Sequence, residues 1–475
     1  MNSRTLRKGC FIILFAYLII SVSFYFIAHE QLTYRSVGTN IVQVPEQTPA
    51  GEIIQGIVLE QPFQSPAPIL NSISFLTATY ARENRGEMIF EIIDTVSDTV
   101  LHTSAINLAD VPDNKVMTII LHDPVIDAHD KHLVLRITGL SSSGNAVTIW
   151  QRPAEADESV MLVNGQATDK IMCFATSGTV EFLFGKYYVY WTGGFGLLLA
   201  GYLLSLIYRH QRGMNSIAFH FISVVTKYQF LIHQLVSRDF KTKYKRSVLG
   251  VLWSFLNPLL VMLVQYVVFS TLFKSDIVNF PVYLLTGIVC FNYFNESTTM
   301  ALTSIVGNAT LITKVYVPKY IYPLSRILSS TINLLLSFIP LFLVIIIMRT
   351  QITIAYPLLI YGLICLVTFS LGMGMVLASA MVFFRDTQFL WNVLSMLWVY
   401  ATPIFYPESI IPTRFSLVLK LNPMYHFIRF VRTIILGGVS PEPKAYLFCA
   451  VFAAAMLLIG VLVFKKTQDK FVLYI

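Results

Sequence analysis

The stretch Arg238–Leu260, RDFKTKYKRSVLGVLWSFLNPLL, changes character halfway. Five cationic side chains, Arg238, Lys241, Lys243, Lys245 and Arg246, fall within its first nine residues, and from Ser247 to Leu260 no side chain is charged. Cations collected at the edge of an apolar run mark a junction between water and hydrocarbon. The rest of the chain repeats the contrast. Its 475 residues have a mean hydropathy of +0.65, with 55% hydrophobic and only 13% charged, too apolar for a water-soluble protein of this length.

Runs of about 20 apolar residues can cross a hydrocarbon core of roughly 30 Å. They occur at 11–28, 188–208, 249–273, 281–302, 326–348, 357–383, 388–404 and 444–464, which predicts a membrane α-helical bundle of eight spans. Lys and Arg gather on the cytoplasmic side of a membrane protein. Here Arg4, Arg7 and Lys8 precede the first run, Arg209, Arg212 and the Arg238–Arg246 cluster separate the second from the third, and Lys465, Lys466 and Lys470 follow the last. Both termini are therefore expected in the cytoplasm, with residues 29–187 extracellular or periplasmic. Orientation accounts for the net charge of +8 without nucleic acid as a partner. Residues 1–28 have the basic start and apolar middle of a signal peptide, but no small-x-small site follows Ile27, so they read as an uncleaved span.

Between the first two runs the pattern switches to short segments of period two, such as GEMIFEIIDTV, KVMTIILHDP, KHLVLRITGL and NAVTIWQR, spaced by turn residues. Alternation needs one buried face, so this part is expected to be an all-β sandwich. Its phrases ISFLTATYARENRGEMIFEIID and KHLVLRITG resemble the jelly-roll sandwiches of carbohydrate-binding modules. Tyr80, Arg82, Asn84 and Trp150 are the glycan candidates, because sugars offer apolar C–H faces to rings and hydroxyls to polar groups. Tyr80 and Trp150 read equally well as strand residues packing the sandwich. The run HDPVIDAHDKH, from His122 to His132, has ligand-type side chains but no zinc spacing and reads as a polar hairpin loop, so no metal is assigned.

After the second span, residues 213–248 form an amphipathic helix with Val224, Tyr228, Leu231 and Leu235 on one face. That face is expected in the headgroup zone of the inner leaflet, with the cations near anionic lipid. From here four ordered stretches, LVSRDFKTKYKRSVLGVLWSFLNPLLVMLVQYVVF, NATLITKVYVPKYIYPLSR, VFFRDTQFLWNVLSMLWVYATPIFYP and LNPMYHFIRFVRTIILGG, resemble the permease subunits of ABC-type polysaccharide exporters of the O-antigen, teichoic acid and rhamnan type. The resemblance covers about 215–475 and leaves the sandwich and its two flanking spans as additions to a six-span core.

Hydropathy and alternation give residues 1–28 as the cytoplasmic N-terminus and first span, 29–187 as the outer sandwich and 188–212 as the second span, and the resemblance implies 213–248 as an interface helix and 249–475 as the permease core. It implies that Arg238, Lys241, Lys243, Lys245 and Arg246 border the substrate entrance and the ATPase contact. Lys314 and Lys319 fall in one coupling loop, and Arg385 and Asp386 in another. The segment 405–436, broken by Pro407, Pro412 and Pro423, is implied to form re-entrant helices gating the exit. Among rings that could stack on passing sugars are Trp253, Tyr266, Phe269, Tyr283, Phe291, Tyr293, Trp391, Trp398, Tyr400, Phe405 and Tyr406; packing and the interfacial aromatic belt explain any single one of them as well. Glu296 sits at membrane depth, where a carboxylate requires a lumen or a partner.

No GxxxxGK[ST] phosphate loop occurs, so the chain is not expected to cradle ATP itself, and it is read as a transporter permease with no cofactor of its own and not as an enzyme. The resemblance implies ATP and Mg in two copies of a partner ATPase, beside a second permease copy in a homodimer and a polyprenyl-pyrophosphate-linked polysaccharide as substrate, with membrane lipid around them. The alternative is a membrane-anchored glycan-binding or glycan-modifying protein without ATP-driven transport. A modifying enzyme would need diphosphate- or metal-binding carboxylates, and no D-x-D occurs; a receptor would leave the four stretches unexplained.

Overall fold

The computed structural model describes residues 3–39, 41, 46–155, 158–212, 217–245, 249–250, 252–273, 279–315, 317–411 and 416–475. It divides into two compact units, one of Leu32–Tyr187 and one of Met1–Gln31 with Tyr188–Ile475.

The first unit is all-β, as the alternation requires. One antiparallel sheet joins β1 (Tyr34–Gly38), β2 (Thr48–Pro49), β4 (Ile69–Ala78), β7 (Lys115–Val125), β9 (Thr148–Pro153), β12 (Lys170–Met172) and β13 (Phe174–Glu181) in the order β1-β13-β4-β9-β12, with β7 also on β4 and β2 on β9. The other joins β3 (Val58–Phe63), β5 (Glu87–Asp94), β6 (Thr99–Asn107), β8 (Leu133–Gly139), β10 (Leu162–Val163) and β11 (Gln166–Ala167) in the order β11-β10-β3-β8-β5-β6. Alternate residues of β8, Leu133, Leu135 and Ile137, are buried, and with Phe75, Phe90, Ile73 and Leu59 they fill the space between the sheets. The edge strand β6 is largely exposed and too weakly alternating to stand out in the sequence.

Several carboxylates of this unit sit below the usual carboxylate range. The Arg152 guanidinium lowers Glu158, which it grips at 2.7 and 2.5 Å, and hydrogen bonds from Arg82 to Glu52, from the Val96 N–H to Asp94 and from the Thr79 N–H to Asp113 lower the others. A depressed folded pKa gives stability that is present above the unfolded value and lost as pH falls through the folded one. The β unit is therefore expected to melt at progressively lower temperature as pH drops below about 4. Glu158→Gln should flatten that slope; melting curves with the same acid dependence in both forms would contradict the assignment.

The second unit is helical: α1 (Ser3–Thr33), α3 (Tyr188–Gln211), α4 (Ile217–Tyr244), α5 (Leu252–Phe273), α6 (Phe280–Leu302), α8 (Ile321–Ile347), α9 (Leu359–Phe383), α10 (Thr387–Ala401), α12 (Pro423–Gly437) and α13 (Pro443–Thr467), with short helices α7 (Ala309–Lys314), α11 (Ser416–Leu421) and α14 (Phe471–Tyr474). The four-residue α2 (Leu183–Lys186) closes the β unit's sequence. Among the described residues, six helices are long and apolar enough to cross a membrane: Leu6–Ala28, Tyr188–Gln211, Leu252–Ser270, Ile321–Ile347, Tyr356–Phe383 and Pro443–Tyr474. Two of the eight expected spans differ from these. Helix α6 is diluted by Asn292, Asn295, Glu296, Thr298 and Thr299 and can carry them because most of its surface is buried in the bundle. Helix α10 has 15 residues, about 22 Å at ~1.5 Å per residue, which is short of a bilayer core.

Small residues set the closest approach. A Cβ on Gly372 of α9 would strike the backbone of Met456 and Leu457 on α13, and one on Gly460 would strike the backbone of Gly372. The two helices thus touch main chain to main chain, as small residues allow in membranes. Helix α12 starts where Asn422 caps the Met424 N–H at 3.0 Å with Pro423 in its first turn, and stops at Gly438, whose φ of 65° suits the left-handed region.

Candidate functional site

The C-terminal half of α4 packs on the bundle instead of floating beside it. Leu235 is buried with Ile305, Ile321, Tyr322 and Met375, and Tyr228 and Leu231 pack on the same cluster. This corrects the expectation that the apolar face enters the headgroup zone: protein covers that face from Tyr228 to Leu235. The side chain of Val224 lies outside the described residues.

One turn further on, the same helix turns charged side chains toward α6 and α8. Asp239, with its side chain 4% exposed, lies between Arg238 on its own helix, at 3.3 Å, and Arg326 of α8, at 3.1 Å. Its Oδ2 has no hydrogen-bond partner among the described residues. Arg238 also donates to Asn308 Oδ1 at 3.2 Å, and Asn308 donates to the Ser304 carbonyl at 2.7 Å, tying α4 to the segment that leads into α7. Four residues beyond Asp239, Lys243 meets Glu296 of α6 at 2.8 Å. The amide of Asn333 on α8 donates to the same Glu296 oxygen at 2.6 Å, and Tyr244 donates to the other end of Asn333 at 3.0 Å. Lys243, Glu296, Asn333 and Tyr244 therefore close a ring through three helices. The pair at Glu296 is half-exposed and worth no more than about 1 kcal/mol. The Asp239 carboxylate is sealed in, so removing its partners would strand a buried charge.

These residues line a groove of about 600 Å³ bounded by Arg238, Asp239, Thr242, Lys243, Glu296 and Arg326. A second hollow of about 700 Å³ runs along the other side of Arg238, past Ser237, Lys241 and Lys245. Lys241 and Lys245 are exposed, and Arg246 lies outside the described residues. Of the five cations in the opening stretch, the structure brings Arg238 and Lys243 onto the groove and pairs both with carboxylates. Sequence reasoning missed Arg326, Asn333 and the part played by Asp239. A signal existed: Arg326 and Asn333, the one charge and the one amide of α8, stand seven residues apart, which puts them on one face.

Two short turns lie near one end of α8 and α9. Lys314, exposed, ends α7. Lys319 is held: its ammonium donates to the Gln468 carbonyl at 2.6 Å and lies 5.9 Å from the Phe471 ring centre. Arg385 and Asp386 are exposed in the turn between α9 and α10. Phe471 of α14 is fully buried and meets Phe383, just before that turn, at 6.1 Å.

The expected sugar-stacking rings separate into two groups. Trp253, Tyr266 and Tyr400 are exposed. Tyr293, 4% exposed and bonded to Thr331 at 3.2 Å, is a packing residue, as are Tyr283, Phe291 and Trp391. Phe405 is buried and stacked on Phe269 at 5.4 Å, and Trp398 donates to Asn422 at 2.8 Å within a cluster with Phe294 and Phe369. Tyr406, half-buried, donates to the Tyr400 carbonyl at 2.7 Å. Buried rings cannot stack on a passing chain, so in this conformation Tyr283, Phe291, Tyr293, Trp391 and Phe405 leave that set. Pro412 lies outside the described residues.

In the β unit Arg82 is committed to Glu52 and lies over the Tyr80 ring at 5.0 Å. Asn84 is buried and donates to the Thr79 carbonyl at 3.1 Å, which removes it as a surface glycan contact. Tyr80 is exposed, and Trp150 donates to Asn114 at 3.2 Å. His122 and Asp123 lie in β7, and Asp127 to His132 form the turn to β8; among the described residues no group of three or more His, Cys, Asp or Glu is arranged to hold a metal ion.

Residues 230–436, which include the groove, match the ABC-2 type transporter family. The O-antigen export system permease protein RfbA of Myxococcus xanthus is 31% identical over 249 residues, 52% of this chain and 95% of that protein. RfbA of Klebsiella pneumoniae is 30% identical over 247 residues, 51% of this chain and 93% of that protein. The polysialic acid transport protein KpsM of Escherichia coli is 23% identical over 241 residues, 50% of this chain and 93% of that protein.

Proposed function

The chain belongs to the ABC-2 type transporter permeases, and from that premise we propose that it is the membrane subunit of an ATP-driven exporter of a lipid-linked cell-surface polysaccharide. It is a multi-pass protein of the cytoplasmic membrane and a transporter subunit instead of an enzyme. One observation carries the finer reading: the part similar to polysaccharide-export permeases is also the part that builds the cation-lined groove from α4, α6 and α8.

In this reading both termini and the groove face the cytoplasm, and two copies of the chain enclose a channel. A separate ATPase pair supplies ATP and Mg and pushes on the turns at Lys314–Lys319 and Arg385–Asp386. The polyprenyl-pyrophosphate carrier approaches along the inner leaflet, where each cation near an anionic surface contributes on the order of 1 kcal/mol. Lys241, Lys245 and Arg246 attract it, and Arg238, Lys243 and Arg326 receive its diphosphate. Export ends past the segment 405–436, and the β unit stands on the outer side, with Tyr80 the one exposed ring among its glycan candidates.

The test is the triple variant Lys241→Gln, Lys243→Gln, Lys245→Gln. Surface glycan should fall to background while the amount of chain in the membrane and its co-purifying ATPase stay unchanged. Full export from a correctly inserted triple variant would sink the groove as the entrance, and absence of any co-purifying ATPase would sink the exporter itself.

A further inference from the structure

We infer that Glu296 is a specificity-determining residue of the groove, a resident carboxylate that sets how much negative charge an anion must carry to enter. The inference rests on the reading of the groove as the receiving site for a lipid-linked diphosphate. The walls hold three cations, Arg238, Lys243 and Arg326, against two carboxylates, Asp239 and Glu296. The two carboxylates are unequal. Asp239 is fixed between two guanidinium groups with its side chain 4% exposed, whereas Glu296 is 32% exposed and, among the described residues, held by Lys243 and Asn333 alone. Glu296 is the anion that can be displaced.

Displacement has a charge condition. The phosphodiester of an ordinary phospholipid carries a single negative charge. If it takes Lys243 from Glu296 it replaces one monoanion by another and leaves the carboxylate beside it without its cation. A diphosphate ester carries more charge and more acceptor oxygens, enough to span Lys243 and the guanidinium of Arg326 or Arg238 and outweigh the lost pair. The threshold matters because of where the groove lies in this reading: beside the inner leaflet, phospholipid headgroups vastly outnumber the substrate, and an unguarded basic groove would fill with them. Rejecting the abundant competitor by a built-in unfavourable contact is how specificity is gained when attraction alone is shared. Asn333 serves the same end. Its amide N–H aims at Glu296 while its carbonyl is held by Tyr244, so the carboxylate is presented to Lys243 in a set orientation.

The test uses the full chain in nanodiscs, titrated with farnesyl diphosphate in pure phosphatidylcholine and in phosphatidylcholine mixed with phosphatidylglycerol. In the native chain the added phosphatidylglycerol should weaken farnesyl diphosphate binding by less than about threefold. In Glu296→Gln it should weaken it by about tenfold or more, since the monoanionic headgroup now competes. General repulsion by the anionic bilayer acts on both forms alike and cancels in the comparison. Glu296→Asp keeps the charge and should behave like the native chain, which separates charge from any packing defect in the amide variant. Equal phosphatidylglycerol sensitivity in the native chain and Glu296→Gln, with binding still lost in Arg326→Gln, overturns the threshold alone. No binding of farnesyl diphosphate to the native chain in either bilayer overturns the threshold together with the diphosphate reading.

Discussion

Arg432→Ala is expected to lower the stability of the helical unit by at least about 3 kcal/mol, because three backbone carbonyls lose a charged donor at once. The Arg432 guanidinium is buried on α12 and reaches Pro403 O at 2.6 Å, Ile404 O at 2.9 Å and Tyr283 O at 3.0 Å, while lying 3.4 Å from the centre of the Tyr283 ring. Among the described residues no carboxylate bonds to it; carbonyl dipoles and a ring face sit against the charge. Tyr283 closes the arrangement by donating to Pro403 O at 3.2 Å and Tyr406 O at 2.9 Å, so α6, α12 and the turn 402–406 are joined at one point. Room for the guanidinium comes from Gly287, where a methyl group would sit 2.7 Å from Nη2. Arg432→Lys should recover only part of the loss, since an ammonium cannot fan out to three acceptors. Gly287→Ala should show the same defect in milder form. Melting of the purified chain, with hydrogen exchange read at 402–406, measures the series; an unshifted melting temperature in Arg432→Ala would show that the turn is held some other way.

The second large effect is expected at the seam between α9 and α13. Valine at Gly372 or at Gly460 should prevent the folded chain from accumulating, because the clash is with main chain that cannot rotate aside. Overpacking a tight interface costs about 1–3 kcal/mol, and more where backbones must separate. Gly201→Val on α3 is the control: a Cβ there meets nothing within 4 Å. Size-exclusion profiles and membrane abundance of the three variants should split two against one. Normal accumulation of Gly372→Val would mean that the helices do not touch as described.

Hydropathy and alternation made the two kinds of structure legible, because each depends on how far apolar residues recur along the chain. The long apolar run Leu252–Phe273 and the alternating Leu133–Gly139 announce themselves in this way. Partners do not. The apolar face of α4 was visible as a face, but nothing in its periodicity says whether lipid or protein covers it. Aromatic rings such as Tyr293 and Trp398 have the same composition signal whether they line a lumen or fill a core. Arg326 and Glu296 are the lone charges of α8 and α6, and what they hold could be read only once α4, α6 and α8 were laid side by side. Glu296 came nearest, since a carboxylate at that depth demands a partner, and Lys243 supplies it.

The knot at Phe471 has a mechanical meaning. Lys319 grips the carbonyl of Gln468, Phe471 fills the space beneath Phe383, and Phe464 closes on Phe471 edge-on at 5.3 Å. The loop before α8 and the turn after α9 thus rest on one shared footing, the last residues of α13 and α14. Two levers bolted to the same plate cannot swing separately: in the proposed reading a load applied to either turn tilts both, and the short helix that joins them, packed in one cluster with Leu235 and Tyr322, decides whether a stroke arrives in one piece.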